Sequence, residues 1–148
     1  MLNIENRKAK FEYFFLQEWE AGIVLVGTEI KSIREGKINF KDSYARIVDN
    51  EVWLFNLHIS PYEKGSYFNH EAERKRKLLL HSREIKKMKS KTEEQGMTLV
   101  PKRLYINESG KCKLIIAIAK GKKTFDKRDS LQEKQLKREN DRKMKSFE

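Results

Sequence analysis

The chain has 148 residues, 38% of them hydrophobic and 10% aromatic, which is enough to fill one core of ordinary size but hardly two. Its 33 lysines and arginines exceed its 22 aspartates and glutamates, and the resulting net charge of +11 indicates a polyanionic partner, nucleic acid foremost. The sequence contains no run of about 18 apolar residues and no apolar leader at its N-terminus, so we expect a cytoplasmic protein with no membrane partner.

Two strands are predicted before residue 27. Residues 11–19 alternate with a period of two, which is typical of a strand with one strongly apolar face. Residues 20–22 allow a bend, and the run at 23–26 is β-branched and short enough to be a buried strand.

A short helix is predicted over residues 27–36. Thr28 is suited to its N-cap, and Gly36 to the left-handed residue that ends it. Its two isoleucines share a face that can pack, whereas Lys31 and Arg34 share a neighbouring face that can stay solvated, and these two cations are candidate RNA contacts. Because two turns of helix are marginal alone, this helix should lie against a sheet formed by the strands around it.

A hairpin and a basic loop are predicted next. Strands at 44–48 and 52–59 are joined by residues 49–51, whose types tolerate positive φ. Residues 60–77 lack apolar periodicity and end in four consecutive basic residues, so we expect a long, basic, mobile loop there.

The next predicted elements are a surface helix and a second hairpin. Ser82 can cap a helix that runs to about Gln95, where Gly96 stops it, and the thin apolar face of this helix places it on the surface. Strands over residues 97–107 and 111–119 then form a hairpin.

The texture of the chain changes at residue 120. Residues 120–148 contain 11 basic and 6 acidic residues, and their few large apolar side chains do not share a helical face. We therefore predict an RNA-binding domain over 1–119 and a basic tail over 120–148 that is disordered when free and can become helical on a charged surface.

Six strands with inserted helices predict a mainly β fold, a closed six-stranded antiparallel barrel of the oligonucleotide-binding type. Such barrels often bind nucleic acid through aromatic side chains and a basic groove, although most aromatic residues in a domain this small belong to the core. We expect the protein to be a monomer.

No catalytic arrangement is evident. The three histidines lie in different predicted elements, Ser32 and Ser43 lack a nucleophile elbow, and residues 121–124 lack the upstream glycine of a phosphate-binding loop. The lone Cys112 lies between two lysines in a predicted strand and is assigned a structural role. These observations favour a binding module that needs neither cofactor nor metal.

Two basic clusters are candidate phosphate contacts, with a solvated surface as the alternative. One is the run at 74–77, from which we take Arg74, Arg76 and Lys77. The other opens the tail and comprises Lys120, Lys122, Lys123, Lys127 and Arg128. Phosphate contact could thus continue from the barrel into the tail.

The sequence resembles the family of tmRNA-binding small protein B (SmpB) across essentially its whole length. The motifs that carry this resemblance are NRKA at 6–9, EAGI at 20–23, GTEIKSIR at 27–34, DSYA at 42–45, RKLLLH at 76–81, TLVP at 98–101, AKGKK at 119–123 and DKR at 126–128. Jointly they are very specific, although no single one would be.

The resemblance implies a non-enzymatic adaptor that grips the tRNA-like domain of transfer-messenger RNA (tmRNA) and accompanies it to stalled ribosomes. It also implies RNA-binding roles for Asn6, Glu20, Leu79 and Lys113, with Leu79 acting through packing. The tail would occupy the decoding region and the empty mRNA channel, and the residues expected to act there are Lys120, Gly121, Lys122, Lys123, Phe125, Asp126, Lys127 and Arg128.

Two positions depart from the family pattern. Ala72 stands where a proline is frequent, so the basic loop would be looser in this chain. Phe125 stands where a histidine often precedes the Asp-Lys-Arg motif, and phenylalanine keeps stacking on a base but loses any hydrogen bond.

Two other functional classes remain as alternatives. One is a ribosome-associated or general single-strand-binding protein without preference for one RNA fold. The other is an RNA-modifying enzyme, which would need a base or a metal in a pocket.

Overall fold

The computed structural model describes residues 2–64, 68–94 and 96–122. In chain order the elements are β1 (Asn3–Glu5), α1 (Arg7–Glu12), β2 (Tyr13–Ile23), α2 (Gly27–Arg34), β3 (Ile38–Asn39), β4 (Tyr44–Val48), β5 (Glu51–Phe55), β6 (His58–Ile59), β7 (Arg76–Leu79), α3 (Ser82–Thr92), β8 (Met97–Ile106) and β9 (Cys112–Gly121). The predicted mainly β class with inserted helices is confirmed.

The strands pair in one large antiparallel sheet in the order β1-β8-β4-β5-β7-β2-β9. Because β8 also pairs with β9, six of these strands form a ring, and β1 pairs with the same edge of β8 as β4, farther along that strand. The short strands β3 and β6 pair separately. In this ring β5 lies across from β9, so their outward faces point in opposite directions.

Alternating side chains of the ring strands fill its centre, as the period of two requires. The inward residues are almost completely buried, and they include Trp19 from β2, Leu54 from β5, Leu78 from β7, Leu104 from β8 and Ile116 from β9. On the outside, Ala9 of α1 packs against Val100 and Ala119, so α1 covers one end of the β8–β9 pair. This cover explains the burial of Ala119 on the outward side of β9.

The N-terminal strand begins later than predicted. Residues 7–12 form α1, capped by Asn6, whose Oδ1 accepts from the Ala9 N–H at 3.1 Å. Phe11 is therefore a helical residue with 82% of its surface exposed. The cap and the packing of Ala9 override the alternation at residues 11 and 12, so the strand begins at Tyr13.

The predicted bend at 20–22 and separate strand at 23–26 are wrong. Strand β2 continues through these residues to Ile23 because it pairs with β9 along most of its length and with β7 at its end. A bulge between Phe15 and Gln17 supplies the change of register instead.

The short helix α2 is confirmed, but its cap differs. Val26 is the N-cap, and Glu29 accepts from the Val26 N–H at 2.9 Å. Thr28 Oγ1 is 2.8 Å from Nδ1 of His70, so it contacts the loop between β6 and β7 and does not cap the helix. Gly36 has φ of +73° and ends the helix as expected.

The first hairpin is also confirmed, with Asp49 and Asn50 at positive φ in a two-residue turn. Its second strand is shorter than predicted, because Asn56, at φ of +66°, separates β5 from β6.

The predicted loop over residues 60–77 ends before the basic run does. Arg76 and Lys77 belong to β7, where they pair with β5. Arg76 is completely buried, and its Nε donates to Glu29 at 2.5 Å while its two other nitrogens donate to the carbonyls of Leu57 and Ala72. The sequence pattern could not separate this arginine from its solvated neighbours.

The later elements largely match expectation. The helix α3 covers Ser82–Thr92, so its N-cap is His81 and not the predicted Ser82, and it ends three residues before the predicted Gln95. The hairpin of β8 and β9 is confirmed, but β9 continues two residues past Ala119. Lys120 and Gly121 are therefore strand residues.

The ion pair of Glu29 and Arg76 is the main polar contact inside the fold. Both side chains are 0% exposed, and Arg74 donates to the other oxygen of Glu29 at 2.6 Å. Burial alone would raise the pKa of Glu29, but hydrogen bonds from Arg74, the Val26 N–H and Arg76 outweigh it and hold that pKa below its usual range. The carboxylate therefore stays ionised and joins α2 to β7.

We predict that Arg76→Met destabilises the fold by about 3 to 5 kcal/mol, because it leaves a buried carboxylate short of its partner. The measurement is the free energy of unfolding from urea titration. The double variant Glu29→Met/Arg76→Met should be more stable than Arg76→Met, since it removes both charges. Lys8→Ala, which breaks a solvent-exposed pair with Asp42, is the matched control and should change little.

Acidification gives a second readout of the same pair. A carboxylate with a lowered pKa contributes stability above its usual pKa, near 4.5, and loses it as the pH falls through the lowered value. Glu29→Gln should therefore flatten the decrease in stability below about pH 4.5.

An Arg76→Met protein as stable as wild type would show that the pair does not hold the fold.

Candidate nucleic-acid interface

Strand register brings three candidate residues onto one outward face. Gly22 of β2 lies opposite Leu79 of β7 on one side and opposite Lys113 of β9 on the other. Glu20 is two residues before Gly22, so it projects from the same side of β2. We call this outward surface, defined by Glu20, Gly22, Leu79 and Lys113, the β2 face.

The β2 face continues onto β8. Lys113 lies opposite Tyr105, and Ile115, the partner of Glu20, lies opposite Arg103. The Arg103 guanidinium stands 5.0 Å from the centre of the Tyr105 ring. The surface thus combines cations, one exposed carboxylate and an aromatic ring, a mixture suited to phosphate, base and ribose contacts.

Leu79 is the apolar centre of this surface. Its side chain is 53% exposed, although the neighbouring Leu78 is 2% exposed and faces the core. An exposed leucine on the outward side of β7 contributes little to the core, so it is available to a partner.

A cleft of about 380 Å³ opens beside the β2 face, between α2 and the adjoining ends of β2 and β9. Leu79 and Lys113 belong to both the face and the cleft. Apolar side chains form most of the remaining wall, among them Leu25, Ile30 and Ile106.

The other candidate cations are distributed around the ring. Lys31 lies 5.4 Å from the centre of the Tyr62 ring, on the side of α2 next to residues 60–64, and Arg34 is exposed near the end of that helix. Lys77 pairs with Glu51 across the strands, and Arg74 is held by Glu29. Arg76 is the clear correction, because its buried guanidinium cannot reach RNA in this structure.

Asn6 is positioned for support rather than contact. Its side chain is 3% exposed, caps α1 and donates from Nδ2 to the Pro101 carbonyl at 2.8 Å. Its backbone N–H donates to the Lys102 carbonyl. Asn6 therefore fastens β1 and α1 to β8, and it lies outside the β2 face.

The start of the predicted tail is partly described. Lys120 and Gly121 end β9, and Lys122 Nζ lies 5.1 Å from the centre of the Phe14 ring and donates to the Lys10 carbonyl at 3.0 Å. The other tail candidates, Lys123, Phe125, Asp126, Lys127 and Arg128, lie outside the described residues.

Sequence reasoning missed Gly22 and Arg103 as parts of the candidate interface, and it included Tyr105 only among six aromatic residues that could stack on a base. Alternation could have placed each on an outward face, but only the register between strands shows that they are neighbours. Gly22 lies inside one of the family motifs, which was the available signal.

Two other side chains with potentially reactive groups, those of His70 and Cys112, have structural roles. His70 contacts Thr28 through Nδ1 and the Ile59 carbonyl through Nε2, both at 2.8 Å. Burial raises the pKa of the Cys112 thiol to about 12, so it stays protonated. Within residues 2–64, 68–94 and 96–122, no three His, Cys, Asp or Glu side chains are grouped to hold a metal ion.

None of the helices in the described ranges has the length and apolar character needed to cross a membrane.

Comparisons with known proteins agree on one family. A family model described as SmpB protein matches residues 3–146. The SsrA-binding protein of Clostridium kluyveri is 55% identical over 141 residues, covering 95% of this chain and 89% of the relative. The SsrA-binding protein of Desulforudis audaxviator is 53% identical over 135 residues, covering 91% and 88%.

A solved structure is similar as well. The chain matches a structure described as "tmRNA-SmpB: a journey to the center of the bacterial ribosome" with a TM-score of 0.71 and 51% sequence identity. The match covers 81% of this chain and 84% of the other.

We predict that Asn6→Ala lowers the free energy of unfolding by about 1 to 2 kcal/mol, because it removes a helix cap and the partner of a buried carbonyl. Asn6→Asp keeps the capping oxygen and should recover part of this loss. Urea titration measures both. If Asn6→Ala weakens RNA binding while stability is unchanged, Asn6 contacts RNA directly and the supporting role is wrong.

Proposed function

The chain belongs to the SmpB protein family, and from this we propose that it binds the tRNA-like domain of tmRNA through the β2 face and accompanies that RNA to stalled ribosomes. The observation that carries the proposal is the meeting of Glu20, Leu79 and Lys113 on one face. These residues come from three strands that are distant in sequence. Residues that contact the same part of an RNA must lie close together, and these three do.

Each of the three residues has a distinct part in this proposal. Lys113 binds a backbone phosphate, which supplies affinity without reading sequence. Glu20 cannot attract phosphate, so it accepts a hydrogen bond from a base or a ribose hydroxyl. Leu79 packs against a ribose or base and excludes water from the contact. Arg103 and Tyr105 extend the surface toward β1.

The other predicted residues divide by burial. Lys31, Arg34 and Lys77 are accessible and strengthen the positive potential that draws RNA to the protein. Arg74, Arg76 and Asn6 act through the fold, since they are occupied by Glu29 and by backbone groups. We infer that the ring is an oligonucleotide-binding-type barrel and that the protein is a monomeric, cytoplasmic, non-catalytic adaptor.

We further propose that the tail acts on the ribosome and not on tmRNA. Its basic residues start beside Phe14, where the chain leaves β9, and continue through Lys127 and Arg128. Ribosomal RNA in the decoding region and the empty mRNA channel is a negative surface on which this segment could gain helical structure. Phe125 and Asp126 would then add stacking and hydrogen bonding to charge.

A second candidate is general single-strand binding on the opposite side of the ring. Tyr44 and Phe55 stack with ring centres 5.4 Å apart on the outward face of β4 and β5, and Lys75 lies 4.9 Å over the neighbouring Trp53. Aromatic rings beside cations suit unstructured RNA. Titration against structured and unstructured RNA at several salt concentrations separates the candidates, because the proposed adaptor should prefer the tRNA-like domain at every concentration.

We predict that Lys113→Ala weakens binding to the tRNA-like domain and lowers the slope of log affinity against log salt by about 0.7 to 0.9, the value for one phosphate contact. Glu20→Ala should weaken binding without lowering this slope, because it removes no cation. Filter binding across a salt series measures both. Lys91→Ala on the exposed side of α3 is the matched control. Normal affinity of Glu20→Ala would refute its assignment.

We predict that truncation after Lys122 leaves binding to the tRNA-like domain intact and abolishes tagging of stalled chains. This cut preserves all of β9. The control keeps the composition of residues 123–148 but shuffles their order, since a generic basic tether would tolerate shuffling. Tagging is scored on ribosomes stalled on an mRNA without a stop codon. If the shuffled tail tags normally, the specific role of Asp126, Lys127 and Arg128 is wrong.

A further inference from the structure

The ring of strands is open along part of the junction between β4 and β8. Ala45 lies opposite Leu99, and the same register would bring Ile47 opposite Met97. That second pair is not formed, and a groove of about 380 Å³ lies there instead. Its walls come from β4, from the C-terminal end of α3 and from the start of β8, and we call it the β4–β8 groove.

The β4 side of this groove is a strand edge. Residues 46–48 pair with β5 on one side, and no strand of the described part of the chain pairs with them on the other. In an antiparallel strand the backbone N–H and C=O groups of successive residues point to opposite edges, so at least one of these three residues directs both groups toward the groove. Such groups can pair with an added strand.

The side chains of the groove define the pattern that an added strand must have. Ile47, Met97 and Leu99 offer aliphatic contacts, and Arg46 and Lys89 offer two cations. Both cations are exposed, and neither side chain forms an ion pair or a hydrogen bond within residues 2–64, 68–94 and 96–122. An extended segment in which apolar and acidic side chains alternate would satisfy the aliphatic wall with one face and the cations with the other.

One acidic side chain, that of Glu93, also belongs to the described lining. It leaves the two cations in excess, and the net charge of +11 over the whole chain adds to the attraction for an acidic partner.

Two other occupants fit the groove less well. A second copy of this chain, paired edge to edge, would bring the cations of both copies together, and like charges directly opposite each other are unfavourable. A nucleobase would need a ring to stack on, but none of the described lining residues is aromatic. The free backbone edge and the aliphatic wall favour a peptide.

We propose that the β4–β8 groove binds an extended acidic segment of a partner protein by adding it to β4 as a strand. The backbone of the segment pairs with residues 46–48, its apolar side chains pack on Ile47 and Met97, and its carboxylates face Arg46 and Lys89. No residue that defines the β2 face lines the groove. A protein partner and RNA would therefore occupy different surfaces of the ring.

The test uses the full-length protein and a fluorescein-labelled hexapeptide in which valine and glutamate alternate. Fluorescence anisotropy at physiological salt should show saturable binding. Arg46→Glu/Lys89→Glu should weaken it at least about tenfold, because like charges then face the carboxylates.

The matched control is Lys87→Glu/Lys91→Glu, which makes the same change in net charge at exposed positions of α3 outside the lining. It should weaken binding much less, since salt limits the reach of an exposed charge to about 8 Å. An equal loss in both double variants would show that the peptide binds through general attraction, and the proposed site would be wrong.

Two N-methylated hexapeptides test for strand pairing. One is methylated on every valine amide and the other on every glutamate amide. Each loses the N–H donors of only one edge, because alternate residues of an extended peptide point to opposite edges. One of the two should therefore bind like the unmethylated peptide, and the other should lose binding. If both bind equally well or equally poorly, no strand is added to β4.

Thr98→Phe keeps the test decisive if the charge-reversed protein does not fold. Thr98 lines the groove, and phenylalanine suits a strand while its larger side chain fills the space. This variant should lose the peptide and still bind the tRNA-like domain like wild type. Normal peptide binding by Thr98→Phe, or no binding by wild type, would overturn the proposal. If the groove variants instead weaken binding of single-stranded RNA and wild type ignores the peptide, the groove is an RNA site and the proposal is wrong.

Discussion

The buried contact between Glu29 and Arg76 is the constraint on which the arrangement of the β2 face depends. A helix of eight residues between strands cannot hold its own position, and its isoleucines provide only a narrow apolar stripe. The Glu29 carboxylate holds α2 in place, because it accepts hydrogen bonds from the Val26 N–H at the start of the helix and from Arg76 in β7. Since Leu79 is three residues after Arg76, the same contact sets the distance between α2 and the β2 face. The cleft is the space that this distance leaves.

Strand register is the second constraint, and it assembles the interface from distant parts of the sequence. Two bulges, between Phe15 and Gln17 and between Pro101 and Arg103, each shift the inward and outward alternation of a long strand. Beyond them, Glu20 and Gly22 point outward on β2, and Arg103 and Tyr105 point outward on β8. A slip of one residue would turn these side chains toward the core and bring Trp19 to the surface. The apolar core therefore specifies the β2 face, because both depend on the same alternation.

Much of the fold could be predicted from local pattern, and the misses have physical causes. The period of two located β2, turn residues located the hairpins of β4–β5 and β8–β9, and Gly36 with its positive φ marked the end of α2. The helix α1 was missed because its six residues carry an alternation that also suits a strand, and only the Asn6 cap and the contact of Ala9 decide between them. Arg76 was assigned to a solvated run because composition cannot show which cation of four faces a buried carboxylate. For the candidate interface, the family resemblance supplied Glu20, Leu79 and Lys113, but their proximity required the register of three strands.

The central claim is that the β2 face, and not the aromatic face of β4 and β5, holds the tRNA-like domain. Titration of this RNA into 15N-labelled protein, followed by amide NMR, tests the claim residue by residue. The account predicts that the largest changes occur at Gly22, Leu79 and Lys113, whereas Trp53 and Phe55 on the far side of the ring change little. Changes concentrated at Trp53 and Phe55, with the amides of Gly22 and Lys113 unaffected, would contradict it.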